Sequence, residues 1–344
     1  MPFQRSLKNK TILITGGAGA IGTQLVKRIS PLCKRVVILD NLCSGYKWNI
    51  PEFDNVLFIE GDITSDVDLR RSFSEKPDIV FHLAAFFANQ NSVDYPQRDL
   101  HTNGLGTLKL YEYSSLYGKL DRLVYASSGC SIYGNEEMPF VEEKTDFMNL
   151  TTPYQVTKGL GEIYGNYFRH NKGLPITYAR FFNSYGPGEV PGQYRNVIPN
   201  FIYWAKIGKP LPITGTGEET RDFTFVEDIV DGLVQMATRP LELVAGQAFN
   251  LAASQEVKII DLAKLINSVA GREGNILCKE RRSWDTKSRL LASNEKAKRV
   301  LEFDPEKSKN LEKGIQLTFD WFDENWDKIV ESADFKPGMS SAVR

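Results

Sequence analysis

The chain has 344 residues, of which 25% are charged and 42% hydrophobic, and its formal net charge is −1. This balance is typical of globular proteins and excludes a strongly basic surface for nucleic acid or an apolar surface for a membrane. The length is sufficient for one large α/β domain or two joined lobes.

The basic start of the chain is followed by an apolar run of only five residues, 11–15, which leads into glycines. This run is too short for a signal peptide or a membrane span, so we expect a cytoplasmic protein. The four cysteines are widely spaced, and the three histidines do not pair at metal-binding spacing. We therefore expect reduced thiols, no metal site, and chemistry that depends on an organic cofactor or on acid/base side chains.

Short apolar runs rich in β-branched residues alternate with segments of helical spacing through the first half of the chain. The runs predict buried strands at 11–15, 35–39, 56–59, 78–83, 123–127 and 176–181. The segments between them predict helices at 21–29, 66–74, 105–117 and 154–170. This alternation predicts the α/β class with a doubly wound (Rossmann) parallel sheet.

The pattern changes after Asn183, where a loop rich in glycine and proline precedes further helices. These helices are predicted at 197–207, 226–237, 259–269 and 311–326. We expect a Rossmann domain of residues 1–184, to which residues 220–255 return. A smaller substrate-binding lobe then consists of residues 185–219 and 256–330, and residues 331–344 form a loose tail.

A glycine-rich turn follows the first predicted strand and opens a helix. Gly16, Gly19 and Gly22 lie three residues apart, so the backbone can approach a pyrophosphate at the helix N-terminus. Asp40 ends the second strand, 18 residues past Gly22, where a carboxylate binds ribose hydroxyls and repels a 2′-phosphate. The pattern predicts NAD rather than NADP, although an aspartate at this position can also cap a turn.

Two candidate reacting groups lie four residues apart on one predicted helix, Tyr154 and Lys158. A phenol has a pKa near 10, and a neighbouring ammonium together with a positively charged nicotinamide favours the phenolate. Tyr154 is therefore predicted to take a proton from a substrate hydroxyl. Ser128, at the end of the fifth strand, is placed to share that proton, unless its hydroxyl only satisfies loop backbone.

The order of these motifs resembles the extended short-chain dehydrogenase/reductase family, specifically its nucleotide-sugar epimerases and dehydratases. The resemblance covers nearly the whole chain. It rests on TGGAGAIG at 15–22, LDNLCSG at 39–45, GDI at 61–63, HLAA at 82–85, VYASS at 124–128, YQVTK at 154–158, RFFNSYGPG at 180–188 and TRDFTFVEDI at 220–229.

The resemblance implies NAD as cofactor and a nucleotide sugar, UDP-linked, as substrate. The implied cofactor contacts are Gly16, Gly19, Ala20, Ile21, Gly22, Asp40, Asn41, Ser44, Gly45, Asp62, Ile63, Leu83, Ala84, Ala85, Asn103, Tyr154, Lys158 and Phe181. The implied substrate contacts are Phe87, Asn89, Ser128, Asn183, Asn196, Val197, Ile213, Arg221 and Asp285. Among the substrate contacts, Asn183 and Arg221 are expected at the diphosphate. Among the cofactor contacts, Asp62 is equally suited to cap the helix that follows it.

One inserted residue separates this chain from the family pattern after Ser128. Counting from the strand places Ser128 at the catalytic serine or threonine, and counting back from Tyr133 places Gly129 there; we prefer Ser128, because the strand is rigid. The insertion introduces Cys130, which matches the acid/base thiol of GDP-mannose 3,5-epimerases. Those enzymes pair it with a lysine that the following loop, 188–196, lacks here, so a buried, inert Cys130 is favoured.

Among the reactions of the family, 4-epimerisation needs only Tyr154, Lys158, Ser128 and retained NAD. The 4,6-dehydratases of the family carry a Ser/Thr-Asp-Glu motif at this turn, which supplies the acid and base for loss of water. This chain has Gly129, Cys130 and Ser131 there, so dehydration is disfavoured. Gly188 stands where glucuronate-specific relatives often carry arginine, which favours a neutral hexose or N-acetylhexosamine. A 5,6-dehydratase or a 3,5-epimerase that uses Cys130 stays an alternative, and a catalytically inactive NAD-binding module is another.

The predicted helices 105–117 and 154–170 carry apolar residues on more than one face. In relatives these two helices form a four-helix bundle across a dimer. The resemblance therefore implies a homodimer. The alternative is that the apolar residues of both helices pack in the interior of a single subunit.

Overall fold

A computed structural model describes residues 7–134, 137–273, 275–282, 284–333 and 335. Its centre is a sheet of seven parallel strands, which confirms the predicted Rossmann fold. In chain order these strands are β1 (Thr11–Thr15), β2 (Arg35–Asp40), β3 (Val56–Glu60), β4 (Ile79–His82), β5 (Arg122–Ser128) and β6 (Ile176–Phe181), with β11 (Ala248–Leu251) added later. Across the sheet their order is β11-β6-β5-β4-β1-β2-β3.

The sheet is covered on both faces, which is why its strands are apolar along their whole length rather than alternating. Every residue of β1 is buried. The helices of this half are α1 (Ala20–Ile29), α2 (Asp66–Ser74), α3 (Asn89–Asp94), α4 (Pro96–Asp99), α5 (Thr107–Tyr117), α6 (Gly129–Ile132) and α7 (Pro153–Lys172). A π-helical segment, Leu100–Gly106, precedes α5, so the helix predicted from residue 105 begins earlier than its apolar spacing indicated.

Many of the remaining elements surround a second core. Six short strands form pairs outside the main sheet: β7 (Ser184–Tyr185) with β10 (Thr224–Phe225), β8 (Leu211–Thr214) with β13 (Ile276–Lys279), and β9 (Thr220–Asp222) with β12 (Glu256–Lys258). The helices are α8 (Val197–Lys206), α9 (Val226–Thr238), α10 (Leu241–Val244), α11 (Ile259–Val269), α12 (Glu295–Leu301), α13 (Leu311–Glu324) and α14 (Trp326–Ser332). In the described part of the chain, no helix is long and apolar enough to cross a bilayer.

Two expected boundaries differ from the structure. Ala297, Leu301 and Phe303 belong to the core under the main sheet, although residues 256–330 were assigned to the substrate lobe. The expected tail also begins too early, because Ser332 ends α14 and accepts a hydrogen bond from Trp48 Nε1 at 3.0 Å. The ring of Phe335 lies 4.6 Å from that of Trp204, and residues 334 and 336–344 of the expected tail lie outside the described residues.

Helix α7 begins and ends where its sequence requires. Thr152 is the N-cap and accepts a hydrogen bond from Gln155 N, and Pro153 occupies the first turn, where no backbone donor is needed. Gly173 ends the helix in a left-handed conformation with φ 68°. These signals place Tyr154 in the first turn of α7, beside the ends of the strands.

Candidate active site

A cleft opens at the carboxyl ends of the parallel strands. Strand β1 pairs with β2 on one side and with β4 on the other, so the chain direction across the sheet reverses at β1. Open α/β sheets bind ligands at such a switch point. The glycine turn leaves β1 at this position.

The glycine turn has no room for side chains. Gly16 has φ 74°, and a Cβ there would lie 2.6 Å from Ala84 N; a Cβ at Gly22 would lie 2.4 Å from Gly16 O. Gly19, the N-cap of α1, provides no side-chain cap, and it lines the cleft together with the first turn of the helix. Backbone donors at a helix N-terminus fit a pyrophosphate, so these residues suit NAD.

Asp40 ends β2 at the far side of the glycine turn. Its Oδ2 accepts a hydrogen bond from Ala18 N at 2.9 Å, and its Oδ1 accepts one from Leu42 N at 2.8 Å. Burial raises the pKa of the carboxyl, and the two backbone donors oppose that shift. The carboxylate therefore both holds the turn and faces the cleft.

Asp40 leads to a prediction about cofactor choice. We expect NADH to bind more tightly than NADPH, and we expect Asp40→Asn to reduce that difference on the order of tenfold, because an amide does not repel a 2′-phosphate. Fluorescence titrations with both cofactors measure the ratio. Asp62→Asn is the matched control and should change both affinities alike; equal affinities in the unchanged protein would contradict the prediction.

Most of the predicted cofactor residues line this cleft. Those that do are Gly16, Gly19, Ala20, Ile21, Gly22, Asp40, Asn41, Ser44, Asp62, Ile63, Leu83, Ala84, Ala85, Tyr154 and Phe181. Gly45, Asn103 and Lys158 are buried behind its wall.

Asn103, one of the expected cofactor contacts, forms its hydrogen bonds within the protein. Its Oδ1 accepts a hydrogen bond from Phe86 N at 2.7 Å, and its Nδ2 donates to Phe86 O at 3.1 Å and to Asp99 Oδ1 at 2.7 Å. Only 1% of its surface is exposed. Asn103 therefore supports the loop after β4, and its amide is engaged in doing so.

Tyr154, Lys158 and Ser128 come together at the end of β5. Burial raises the pKa of Tyr154, as does the charge of Asp99, whereas a hydrogen bond with Ser128 lowers it. Lys158 Nζ donates to Ala126 O at 2.8 Å and lies 5.6 Å from the centre of the Tyr154 ring. Burial lowers the pKa of Lys158 to about 8. The phenol and the ammonium are thus adjacent in a site shielded from water.

A second cleft adjoins the first and contains the predicted substrate residues. It is lined by Phe87, Asn89, Asn183, Asn196, Val197, Ile213, Arg221 and Asp285. Arg221 Nη2 donates to both carboxylate oxygens of Asp285 at 3.1 Å. Asn183 adopts a left-handed backbone with φ 28°, a conformation that asparagine tolerates and that is common at functional sites.

The inserted turn forms the one-turn helix α6. A Cβ at Gly129 would lie 1.9 Å from the ring of Phe182, so Gly129 packs inward and Ser128 faces the cofactor cleft. Cys130 lines both clefts and accepts a hydrogen bond from Asn183 N at 3.3 Å. Burial raises the pKa of its thiol to about 11, so the thiol is protonated at neutral pH.

Several residues that line the clefts had no clear signal in the sequence. Arg195 lines both clefts and donates a hydrogen bond to Ser44 O. Trp284 Nε1 donates to Gln90 Oε1 at 2.7 Å across the second cleft, which Lys287 also lines. Lys287 Nζ donates to Tyr133 O, and this lysine, from a segment distant in sequence, lines the second cleft together with Cys130. Their basic and aromatic character was visible, but their position depends on the fold.

A glycine turn at the switch point of a parallel sheet, next to Tyr154 and Lys158 on one helix, defines a dinucleotide-dependent Rossmann enzyme of the short-chain dehydrogenase/reductase type. The model of the NAD-dependent epimerase/dehydratase family matches residues 12–252. The chain belongs to that family, and its cofactor is NAD.

Individual relatives agree with this assignment. UDP-glucose 4-epimerase of Mycolicibacterium smegmatis is 34% identical over 90% of this chain and 97% of its own. The structure of epimerase Mth375 from Methanothermobacter thermautotrophicus has 51% identity and a TM-score of 0.94, over 97% of this chain and 98% of that one. Bordetella bronchiseptica WbmF, solved with NAD+ and UDP, has 36% identity and a TM-score of 0.82, over 95% of this chain and 96% of that one. The protein is therefore an enzyme of the epimerase class.

Proposed function

We propose that the protein is a 4-epimerase of a UDP-linked hexose or N-acetylhexosamine that acts through a transient 4-keto sugar. The observation that supports the proposal is the position of Tyr154 and Ser128 in the cofactor cleft, beside residues that this cleft shares with the second one. Phe87, Cys130 and Asn183 line both clefts, so a sugar held in the second cleft lies against the cofactor cleft.

Tyr154 acts as the acid/base group. Its phenolate takes the proton from the sugar hydroxyl at carbon 4, and the phenol returns a proton when the keto group is reduced. Ser128 donates a hydrogen bond that stabilises the phenolate, and the Lys158 ammonium favours the same form through its charge. Bound NAD supplies the acceptor and donor of the hydride.

The substrate-binding cleft must bind the diphosphate and leave room for the keto sugar to rotate between the two hydride transfers. Arg221 is the proposed diphosphate contact, because a guanidinium fork suits phosphate oxygens. Binding would exchange part of its present pairing with Asp285 for the diphosphate. Gly129, Cys130 and Ser131 contribute no carboxyl group at the turn where a dehydratase needs one, which supports epimerisation over loss of water.

The test is incubation of the purified protein with UDP-glucose, UDP-galactose, UDP-N-acetylglucosamine and UDP-N-acetylgalactosamine. We expect interconversion within one pair and no net change in nicotinamide absorbance. A released keto-deoxy sugar would indicate dehydration instead. Absence of any reaction, with NAD bound, would favour a binding module.

The same reaction in D₂O tests the alternative that uses Cys130. In 4-epimerisation the hydrogen on carbon 4 leaves and returns as hydride, so mass spectrometry should find no solvent deuterium on carbon. The thiol would have to remove a proton next to the keto group, at carbon 3 or 5, to change those centres. Deuterium at either carbon would therefore overturn the simple 4-epimerase assignment.

We also propose that the protein is a homodimer through α5 and α7. Leu116 on α5 is 85% exposed, and Val156, Ile163 and Tyr167 on α7 are each about half exposed. Apolar side chains exposed along two neighbouring helices are typical of a subunit interface.

The interface leads to a prediction about molecular mass. We expect a dimeric mass for the unchanged protein by light scattering and a monomeric mass for Ile163→Glu, because a carboxylate buried between subunits would lose its hydration. Val67→Glu is the control, since Val67 is 62% exposed on α2, and this variant should stay dimeric. A monomeric unchanged protein would refute the proposal.

A further inference from the structure

Asp99 is a fully buried carboxylate next to the reacting groups. It is the last residue of α4 and is 0% exposed. Asn103 Nδ2 donates to its Oδ1 at 2.7 Å, and Thr157 Oγ1 donates to its Oδ2 at 2.7 Å. Because Asn103 Oδ1 accepts from Phe86 N, the amide orientation is determined, and both oxygens of Asp99 act as acceptors, as in an ionised carboxylate.

The two donors connect Asp99 to both walls of the active site. Thr157 lies on α7 between Tyr154 and Lys158, and its hydroxyl also lies 3.2 Å from Tyr154 O. Asn103 holds the backbone of Phe86, in the loop that leads from β4 to the sugar-facing residues. A single carboxylate thus sets the position of the catalytic helix relative to the loop opposite it.

The same carboxylate contributes charge. Lys158 is 3% exposed, and burial lowers its pKa whereas the charge of Asp99 raises it. The other titratable groups that face Lys158 are His82 on β4, Tyr125 on β5 and Tyr154 on α7. Burial lowers the pKa of His82 to about 3, and burial raises that of Tyr125. His82 and Tyr125 are therefore uncharged at neutral pH, and Asp99 supplies a negative charge to Lys158 that does not depend on the ionisation of Tyr154 during the reaction.

We propose that Asp99 is a positioning residue of the reaction, which orients α7 through Thr157 and keeps the buried Lys158 side chain in its ammonium form. The proposal rests on the roles proposed above for Tyr154 and Lys158. An ammonium without this counter-charge in a buried site would lose its proton closer to neutrality.

Asp99→Asn is the direct test, because asparagine has the same shape and both neighbouring side chains can still pair with it. Activity that needs the ammonium is present below the pKa of Lys158 and lost above it. We therefore expect the alkaline limb of the pH profile of kcat/KM to shift to lower pH in the variant, on the order of one pH unit. We expect the same shift in the pH dependence of NADH binding, measured by fluorescence.

Two further variants separate charge from architecture. Thr157→Val removes one hydrogen bond and keeps the carboxylate, so kcat should fall while the alkaline limb stays in place. Asp99→Glu keeps the charge and should return the limb toward that of the unchanged protein. An unmoved limb in folded Asp99→Asn, or equal shifts in Asp99→Asn and Thr157→Val, would overturn the proposal.

Lys158→Arg covers the case in which Asp99→Asn does not fold. Arginine does not titrate in this range, so the alkaline limb of NADH binding should disappear; if it persists, the limb does not belong to Lys158 and the proposal fails. The binding measurement needs no turnover. A protein that epimerises no UDP-sugar but shows the expected shifts in NADH binding would therefore refute the proposed function alone.

Discussion

Tyr154→Phe is expected to lower kcat by about 10²–10⁴-fold, the contribution of a positioned acid/base group. The variant keeps the aromatic ring, which packs edge-on against Phe87 at a centroid distance of 6.1 Å, and loses only the hydroxyl that Ser128 contacts. The loss should therefore appear in kcat, with thermal stability and NAD affinity close to those of the unchanged protein. Steady-state interconversion of the UDP-sugar pair measures it.

Tyr164→Phe is the matched control, because it removes a hydroxyl from the same helix without touching either cleft. Its activity should equal that of the unchanged protein. Full activity of Tyr154→Phe would eliminate the mechanism, because the mechanism assigns the proton transfer to this hydroxyl. Equal losses in both variants would point to a change in α7 rather than to lost chemistry.

Arg180→Met is expected to lower the free energy of unfolding by about 3–5 kcal/mol, because it leaves a buried carboxylate without its counter-charge. Arg180 contacts Glu162 through Nε at 3.0 Å and through Nη2 at 2.7 Å, and the two side chains are 4% and 6% exposed. Arg180 Nη1 also donates to Tyr133 OH at 3.0 Å and to Glu142 O at 2.9 Å. Urea unfolding followed by circular dichroism measures the change.

An exposed pair provides the comparison. Arg28 and Asp231 lie 2.7 Å apart with side chains that are 40% and 34% exposed, so Arg28→Met should cost about 0–1 kcal/mol. The double variant Arg180→Met with Glu162→Leu should recover part of the loss, because the unpaired carboxylate is then gone. A loss at Arg180 no larger than that at Arg28 would show that the buried network does not stabilise the fold.

Local signals account for the parts of the fold that were predicted well. The strands 11–15 and 176–181 and the helices 66–74 and 259–269 have the predicted limits, because apolar runs and helical spacing are properties of neighbouring residues. The helix predicted at 311–326 instead ends at Glu324, and α14 follows Asn325. The assignment of residues 297–303 to the substrate lobe and the onset of the tail differed for another reason, since packing between distant segments decides them.

The sequence by itself determined the Rossmann fold, the glycine turn, Asp40 and the pair of Tyr154 and Lys158. Each is encoded within a few residues, and each acts through backbone shape or helical spacing. The tertiary structure alone decided what surrounds that pair. Asn103 supports the loop after β4, Asp99 lies buried beside Lys158, and Lys287 lines the same cleft as Cys130 although 157 positions separate them in the sequence. Burial and charge at such contacts depend on which distant segments pack together, and local sequence patterns do not predict that packing.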